Sequence, residues 1–232
     1  MKKKILTGLA LIVAVAAFGS ACQQTASNMN SAANHNAMNS NSMMMNQNSM
    51  PMNGSNMQGM NNGNMDHSMM QSSPNAAAAP YDLQFLDTMT AHHQGAVTMA
   101  GPVAAKAQHA EIKTLAANII SSQQTEIAQM KAWREKWFAG AAPAINMEMP
   151  GMSDSMMRMD MKKLDTLKGN EFDLEFIRQM IPHHEGAVVM AKEALKKSTK
   201  DEVKTLAKAI IAAQEAEIKQ MDAWRTAWVR EK

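Results

Sequence analysis

Phe85-Leu86-Asp87-Thr88-Met89-Thr90-Ala91-His92-His93-Gln94-Gly95-Ala96-Val97-Thr98-Met99-Ala100 returns 91 residues later as Phe176-Ile177-Arg178-Gln179-Met180-Ile181-Pro182-His183-His184-Glu185-Gly186-Ala187-Val188-Val189-Met190-Ala191. The same offset carries Gln123, Glu126, Ile127, Met130, Trp133, Arg134 and Trp137 onto Gln214, Glu217, Ile218, Met221, Trp224, Arg225 and Trp228 without a gap. A period this long and this strict marks a duplicated supersecondary unit. At 100° per residue, Phe85, Met89, His92, His93, Ala96 and Ala100 share one helical face, and Ile112, Ile119, Gln123, Ile127 and Met130 share another. Each unit is therefore a helical hairpin. Two hairpins with matching apolar faces predict an all-α four-helix bundle.

Repeat 1 is expected over about 81–138, repeat 2 over about 172–229, and a Met-rich connection over 139–171, within a bundle spanning 80–232. Gly140 and Pro143 close the second helix, and Gly169-Asn170 precede the third. Thr199 and Glu202 have capping-box spacing for the fourth. Gly101-Pro102 reads as a kinked continuation to about Lys106, because the equivalent Lys192-Glu193-Ala194-Leu195 is strongly helix-forming. Pro182 should bend the third helix just before its histidines. Trp133, Trp137, Trp224 and Trp228 read as core or bundle-end packing.

Gln123 and Glu126, and again Gln214 and Glu217, interrupt apolar stripes, and a buried carboxylate needs a partner. Counting 13 residues back and forward from the first turn sets His93 opposite Gln123, and likewise His184 opposite Gln214. The His pairs are the available partners, and each hairpin can thus gather near one level Met89, His92 or His93, Met99, Gln123, Glu126 and Met130 in one, and Met180, His183 or His184, Met190, Gln214, Glu217 and Met221 in the other. Adjacent histidines point 100° apart, so one of each pair should face the bundle axis and the other a groove. Such mixed donors suit copper in either oxidation state. A purely structural His-Glu network would explain the same residues.

Residues 22–79 form a Met/Asn/Ser-rich tail in which methionine is nearly the sole large apolar residue. Such a segment buries too little to fold alone and is expected to be disordered. Neutral thioethers favour Cu(I), with Cu(II) and Ag(I) as further possibilities for the chain. Candidate tail ligands are His35, Met43, Met44, Met45, Met65, His67 and Met69. The connection adds Met149 and Met152 within a cluster that includes Met147, Met156, Met157, Met159 and Met161.

Residues 1–21 have the layout of a signal peptide: three lysines, an apolar run from Ile5 to Phe18, then small residues before Cys22. A lone cysteine there resembles a bacterial lipobox, so Cys22 is the expected lipidation site. The protein would be exported to the periplasm or cell surface and lipid-anchored, at the outer membrane where there are two membranes, as Gln23 suggests. One cysteine forbids an internal disulfide. Losing Lys2, Lys3 and Lys4 turns the formal charge of +2 slightly negative, so nucleic acid is not an expected partner.

The paired Phe-Leu/Ile-x-x-Met-x-x-His-His-x-Gly-Ala-Val-x-Met-Ala blocks, with Gln-x-x-Glu-Ile-x-Gln-Met-x-x-Trp-Arg and Met149-Pro150-Gly151-Met152, resemble the bacterial family known as domain of unknown function 305. The resemblance runs from about Tyr81 to the C-terminus. It implies a ferritin-like bundle, export, and copper binding linked to copper tolerance, with Met89, His92, His93, Met99, Met180, His183, His184 and Met190 at the signature positions. The expected function is binding of copper ions in the cell envelope, sequestering or relaying them, with copper exporters or cuproenzymes as partners and no enzymatic turnover. The alternatives are an envelope scaffold with a structural His-Glu core, and a ferritin-like oxidase. The oxidase would need Glu-x-x-His motifs that this chain lacks.

Overall fold

A computed structural model describes residues 71–230. The leader, Cys22, and the tail candidates His35, Met43, Met44, Met45, Met65, His67 and Met69 lie outside the described residues. Among the described residues, seven helices follow a short 3-10 turn at Ala76–Ala78: α1 (Tyr81–Ala100), α2 (Val103–Lys106), α3 (Ala110–Phe138), α4 (Met152–Met156), α5 (Met161–Thr166), α6 (Gly169–Lys197) and α7 (Asp201–Trp228). Among the described residues the one β feature is a parallel bridge between Ala107 and Gly169. The bundle helices are α1, α3, α6 and α7. α1 pairs with α3, α6 with α7, and α1 packs on α6 across the repeats.

The two hairpins hold each other by their turns. Asp82, buried near the start of α1, accepts hydrogen bonds from Ser198 Oγ (2.5 Å), Thr199 Oγ1 (2.7 Å) and the Thr199 amide (3.1 Å) in the α6–α7 turn. Its repeat counterpart Asp173 accepts from the amides of Gln108 (3.1 Å) and His109 (2.9 Å), and bonds His109 Nδ1 (2.7 Å), in the turn before α3. Beside these ties His109 stacks on Trp228 at 3.8 Å, and Lys200, the counterpart of His109, lies 5.3 Å over Trp137. These reciprocal contacts make α1 and α6 antiparallel and relate the repeats by a pseudo-two-fold axis. Charge-assisted bonds to turn amides are among the stronger ones available, and they satisfy donors that a turn otherwise leaves open.

The expected capping box is absent because Thr199 spends its hydroxyl on Asp82; Lys200 is the N-cap of α7 and makes no side-chain cap. The α1 continuation is realised as a break at Gly101 and a separate turn of helix, α2. Pro182 sits inside an unbroken α6, and Gly169 begins that helix. The tryptophans stack in pairs on α3 and α7, Trp133 with Trp137 (5.5 Å) and Trp224 with Trp228 (5.4 Å).

The connection runs as a strap over both repeats and meets them at equivalent positions. On α1, Asn146 donates through its side chain to Gln84 (2.8 Å) and through its amide to Thr88 (2.9 Å). On α6, the counterparts Glu175 and Gln179 take Lys163 (2.8 Å) and the Asp160 amide (2.6 Å). Asp87 adds Arg134 and the Ala144 amide, both at 2.8 Å. Residues 71–79 belong to this layer, since Ser72 and Ser73 bond the backbone of Met147 and Ile145. The fold thus begins before the boundary expected near residue 80. Six methionines of the strap pack on the core: the buried Met149, Met152, Met156 and Met159, and the partly buried Met147 and Met161.

Burial pushes the Glu175 carboxyl up, but hydrogen bonds from Arg178, Lys163 and Gln179 more than reverse this and hold it at about 2. A carboxylate held below its ordinary value stabilises the fold above the unfolded value and loses that contribution as pH falls. The resistance of the wild type to urea should fall between about pH 5 and pH 2, and Glu175→Gln should flatten that slope while lowering stability at pH 7. An identical slope in the variant would contradict this role.

Candidate metal centre

His92, His93, His183 and His184 are all fully buried at mid-helix in α1 and α6. The adjacent members of each pair diverge, with ring centroids 6.4 Å apart. His92 and His183 meet across the pseudo-axis at 3.8 Å, tilted by 38°. His93 and His184 turn into their own hairpins, where Nε2 bonds Glu126 Oε2 (2.6 Å) and Glu217 Oε2 (2.8 Å). The glutamates thus find the partners they were expected to need, while Gln123 and Gln214, expected opposite the histidines, do not bond the rings. Both amides remain buried with Oε1 unpaired. The glutamates are also less buried than the apolar stripe suggests, with side chains 20% and 19% exposed.

Hydrogen bonding fixes which ring nitrogen carries the proton. A carboxylate only accepts, so Nε2 of His93 and of His184 donates, and in the neutral ring Nδ1 is then the nitrogen with the open lone pair. Ser155 Oγ lies 2.7 and 2.8 Å from the Gly151 and Met152 carbonyls; donating to them, it accepts from His92 Nε2 at 2.9 Å. His92 Nδ1, His93 Nδ1 and His184 Nδ1 have no hydrogen-bond partner, and His183 has none on either nitrogen. For His92, His93 and His184 this is the arrangement of a metal-ligating histidine, oriented through one nitrogen by an oxygen and open at the other.

Burial pushes His92 far below its ordinary value, and neighbouring His183, His93 and His184 add to the effect. Burial likewise pushes His183 down, reinforced by His184 and His93 and slightly opposed by the His92 backbone. Both rings are neutral and keep lone pairs.

Sulfur donors lie in the same buried core. Met89, Met99, Met130, Met180, Met190 and Met221 are fully buried in the same core, and Met149, Met152, Met156 and Met159 close it from the strap. Among the described residues no three His, Cys, Asp or Glu groups converge as a metal site. The donors available to an ion in this core are imidazole and thioether, a set that favours soft over hard cations. The donor set fits copper or silver: open imidazole nitrogens, neutral sulfur and two flanking carboxylates.

Sequence reading missed Asp82, Asp173 and Ser155, and placed Met159 only in the methionine cluster of the connection. The two aspartates carry a signal that could have found them, identity at the repeat offset. Ser155 and Met159 lie in a connection that has no repeat counterpart and no regular period.

The neutral state of the axial pair is directly observable. Nitrogen-detected NMR of the metal-free protein should show His92 and His183 unprotonated from pH 7 down to pH 5. Titration of either near pH 6.5 would contradict their burial.

The bundle superposes on several solved structures. CopM in the Cu(II)-bound form is 44% identical, with a TM-score of 0.56 over 63% of this chain and 97% of that one. CopM in the Ag-bound form is 43% identical, with a TM-score of 0.55 over 63% and 96%. A DUF305 protein from Streptomyces coelicolor is 29% identical, with a TM-score of 0.57 over 67% and 94%. No curated protein matches the sequence. The family described as "Domain of unknown function (DUF305)" matches residues 14–134 and again 82–225, overlapping placements that follow from the duplication. With signature histidines, duplicated hairpins and bundle all in agreement, the chain belongs to the DUF305 family.

Proposed function

We propose that this protein binds copper outside the cytoplasm, sequestering or relaying it without turnover, and that it prefers Cu(I) and accepts Ag(I) and Cu(II). The observation that carries this reading is the set of four fully buried imidazoles whose ring nitrogens are left open within a thioether core. A buried polar atom without a partner costs about 1–3 kcal/mol, so a packing role alone gives no reason to keep five of them. Similarity of more than 40% to CopM, crystallised in Cu(I)-bound, Cu(II)-bound and Ag-bound forms, supports the same choice of ion. His93 with Glu126, and His184 with Glu217, would anchor ions inside the hairpins, with Met89, Met99, Met130 and their counterparts Met180, Met190 and Met221 as sulfur donors. Met149 and Met152 of the strap and the tail methionines would capture and hand over ions. Cleavage before Cys22 and lipidation of its thiol would hold the protein at the membrane, and copper exporters or cuproenzymes would be its partners.

One observation favours the scaffold reading: the His93–Glu126 and His184–Glu217 bonds also tie helix to helix in each hairpin. The two readings differ in the response to metal. The chain from Cys22, and a form from Gln71 that keeps Ser72 and Ser73, should each bind Cu(I) tightly against a competing chelator. Saturation at 100 times Kd should add about 2.7 kcal/mol to stability, a rise of several degrees in Tm. Substituting His93 and His184 by Ala should remove sites from both forms. No tight site and an unmoved Tm would leave the scaffold.

A further inference from the structure

We infer that cations enter the core through the groove between α3 and α7, with Asp201 and Glu202 drawing them in and Glu126 passing them to His93. This rests on the copper reading above and adds the route of entry. The groove has a volume of about 470 Å³ and is lined by α3 and α7 alone, with Glu126, Gln129 and Trp133 on one wall and Asp201, Glu202 and Thr205 on the other. Its lining holds three carboxylates and no lysine or arginine. Glu126 belongs to two environments. Its Oε2 accepts from Nε2 of the fully buried His93 at 2.6 Å, yet its side chain is 20% exposed and lines the groove. It thereby joins solvent to a ring whose Nδ1 has no partner.

Other approaches to the rings are closed. Over α1 and α6 the strap lays Met159 on Gly95 and the Gly151 carbonyl on Gly186. The ends of the crossing are held by the ties of Asp82 and Asp173 to the opposite turns. α3 packs on α1 and α7 on α6, with no comparable packing of α3 on α7. Duplication supplies an independent observation. Exposed positions on these two helices have mostly diverged between the repeats, as at Ser122/Ala213, Thr125/Ala216 and Ala128/Lys219, whereas Glu111/Glu202, Thr114/Thr205 and Gln129/Gln220 are unchanged. One member of each unchanged pair lines the groove. The same set recurs around Glu217 with Ala110 in place of Asp201, so the groove beside Glu126 carries one negative charge more. A carboxylate oxygen is a hard donor and holds a soft ion loosely, so the groove attracts without storing and the nitrogen and sulfur beyond it bind more tightly. A cleft lined by one sign of charge raises the local cation concentration and the association rate, an effect that salt screens. The strap methionines act on an ion that has already entered.

The test is the rate of Ag(I) uptake by the metal-free chain from Cys22, measured by rapid mixing and quenching with excess chelator, at low and high salt. Asp201→Asn with Glu202→Gln discharges the groove; Ala209→Trp fills it and keeps every charge; Glu148→Gln with Asp154→Asn removes two carboxylates from the strap instead. All five positions are exposed, and circular dichroism of each metal-free variant checks that it folds. Discharging the groove should slow uptake about tenfold at low salt and remove most of its salt dependence, with release slowed to match, so that Kd and the number of equivalents stay as in the wild type. Ala209→Trp should slow uptake at both salt concentrations, and the strap variant should follow the wild type. An unchanged rate in either groove variant, or an equal slowing in the strap variant, would overturn the route while the copper reading stands. If the wild type takes up no silver, both fall.

Discussion

The contact between His92 and His183 is the constraint around which the bundle is arranged. Two imidazoles lie 3.8 Å apart in a core that excludes water, at the crossing of the two helices that join the repeats. Their shared burial keeps both neutral, because protonating either would place a cation beside another ring in a low-dielectric interior. The helices cannot separate to relieve them. Asp82 and Asp173 tie each hairpin's turn to the other repeat at opposite ends of the crossing, and the strap clamps both helices from one side. A polar pair is thereby held where apolar residues would pack at lower cost. Such local conflict with an otherwise consistent fold is characteristic of a site kept for function.

Duplication explains why the pair exists, and the strap explains why it is asymmetric. Equivalent residues do equivalent work at the turns, at the tryptophan stacks and in the two His-Glu bonds. The connection occurs once, so it must treat the repeats differently. It gives Ser155 to His92 and leaves His183 unpaired, and it packs backbone on Gly186 and side chains over Gly95. One repeat alone could build a His-Glu hairpin. An inequivalent pair with sulfur on one side needs two repeats and a strap.

Much of this was legible in the sequence because helical periodicity and a gapless repeat of 91 residues are long-range signals. The four bundle helices, the divergence of adjacent histidines and the burial of the signature methionines all follow from 100° spacing. Axial register within a hairpin was less accessible: counting from the turn led to Gln123, whereas His93 reaches Glu126, one turn nearer the far end of α3. The capping box at Thr199 failed because a tertiary partner, Asp82, outbids a local one, and no single-segment rule includes such a competitor. The strap was least legible. Its positions depend on where it crosses helices that are distant in sequence, so the roles of Ser155 and Met159 appear only in three dimensions.

The central claim is that the buried imidazoles are kept for a ligand and not for packing, and the metal-free stability of His183→Leu tests it most directly. Leucine removes two unpaired buried nitrogens and replaces the ring with apolar volume. The account predicts that metal-free His183→Leu unfolds at equal or higher urea concentration than the wild type, and that the gain in stability from Ag(I) shrinks in the variant. A variant destabilised by several kcal/mol without metal, with its response to silver intact, would show that the ring serves the fold and contradict the account.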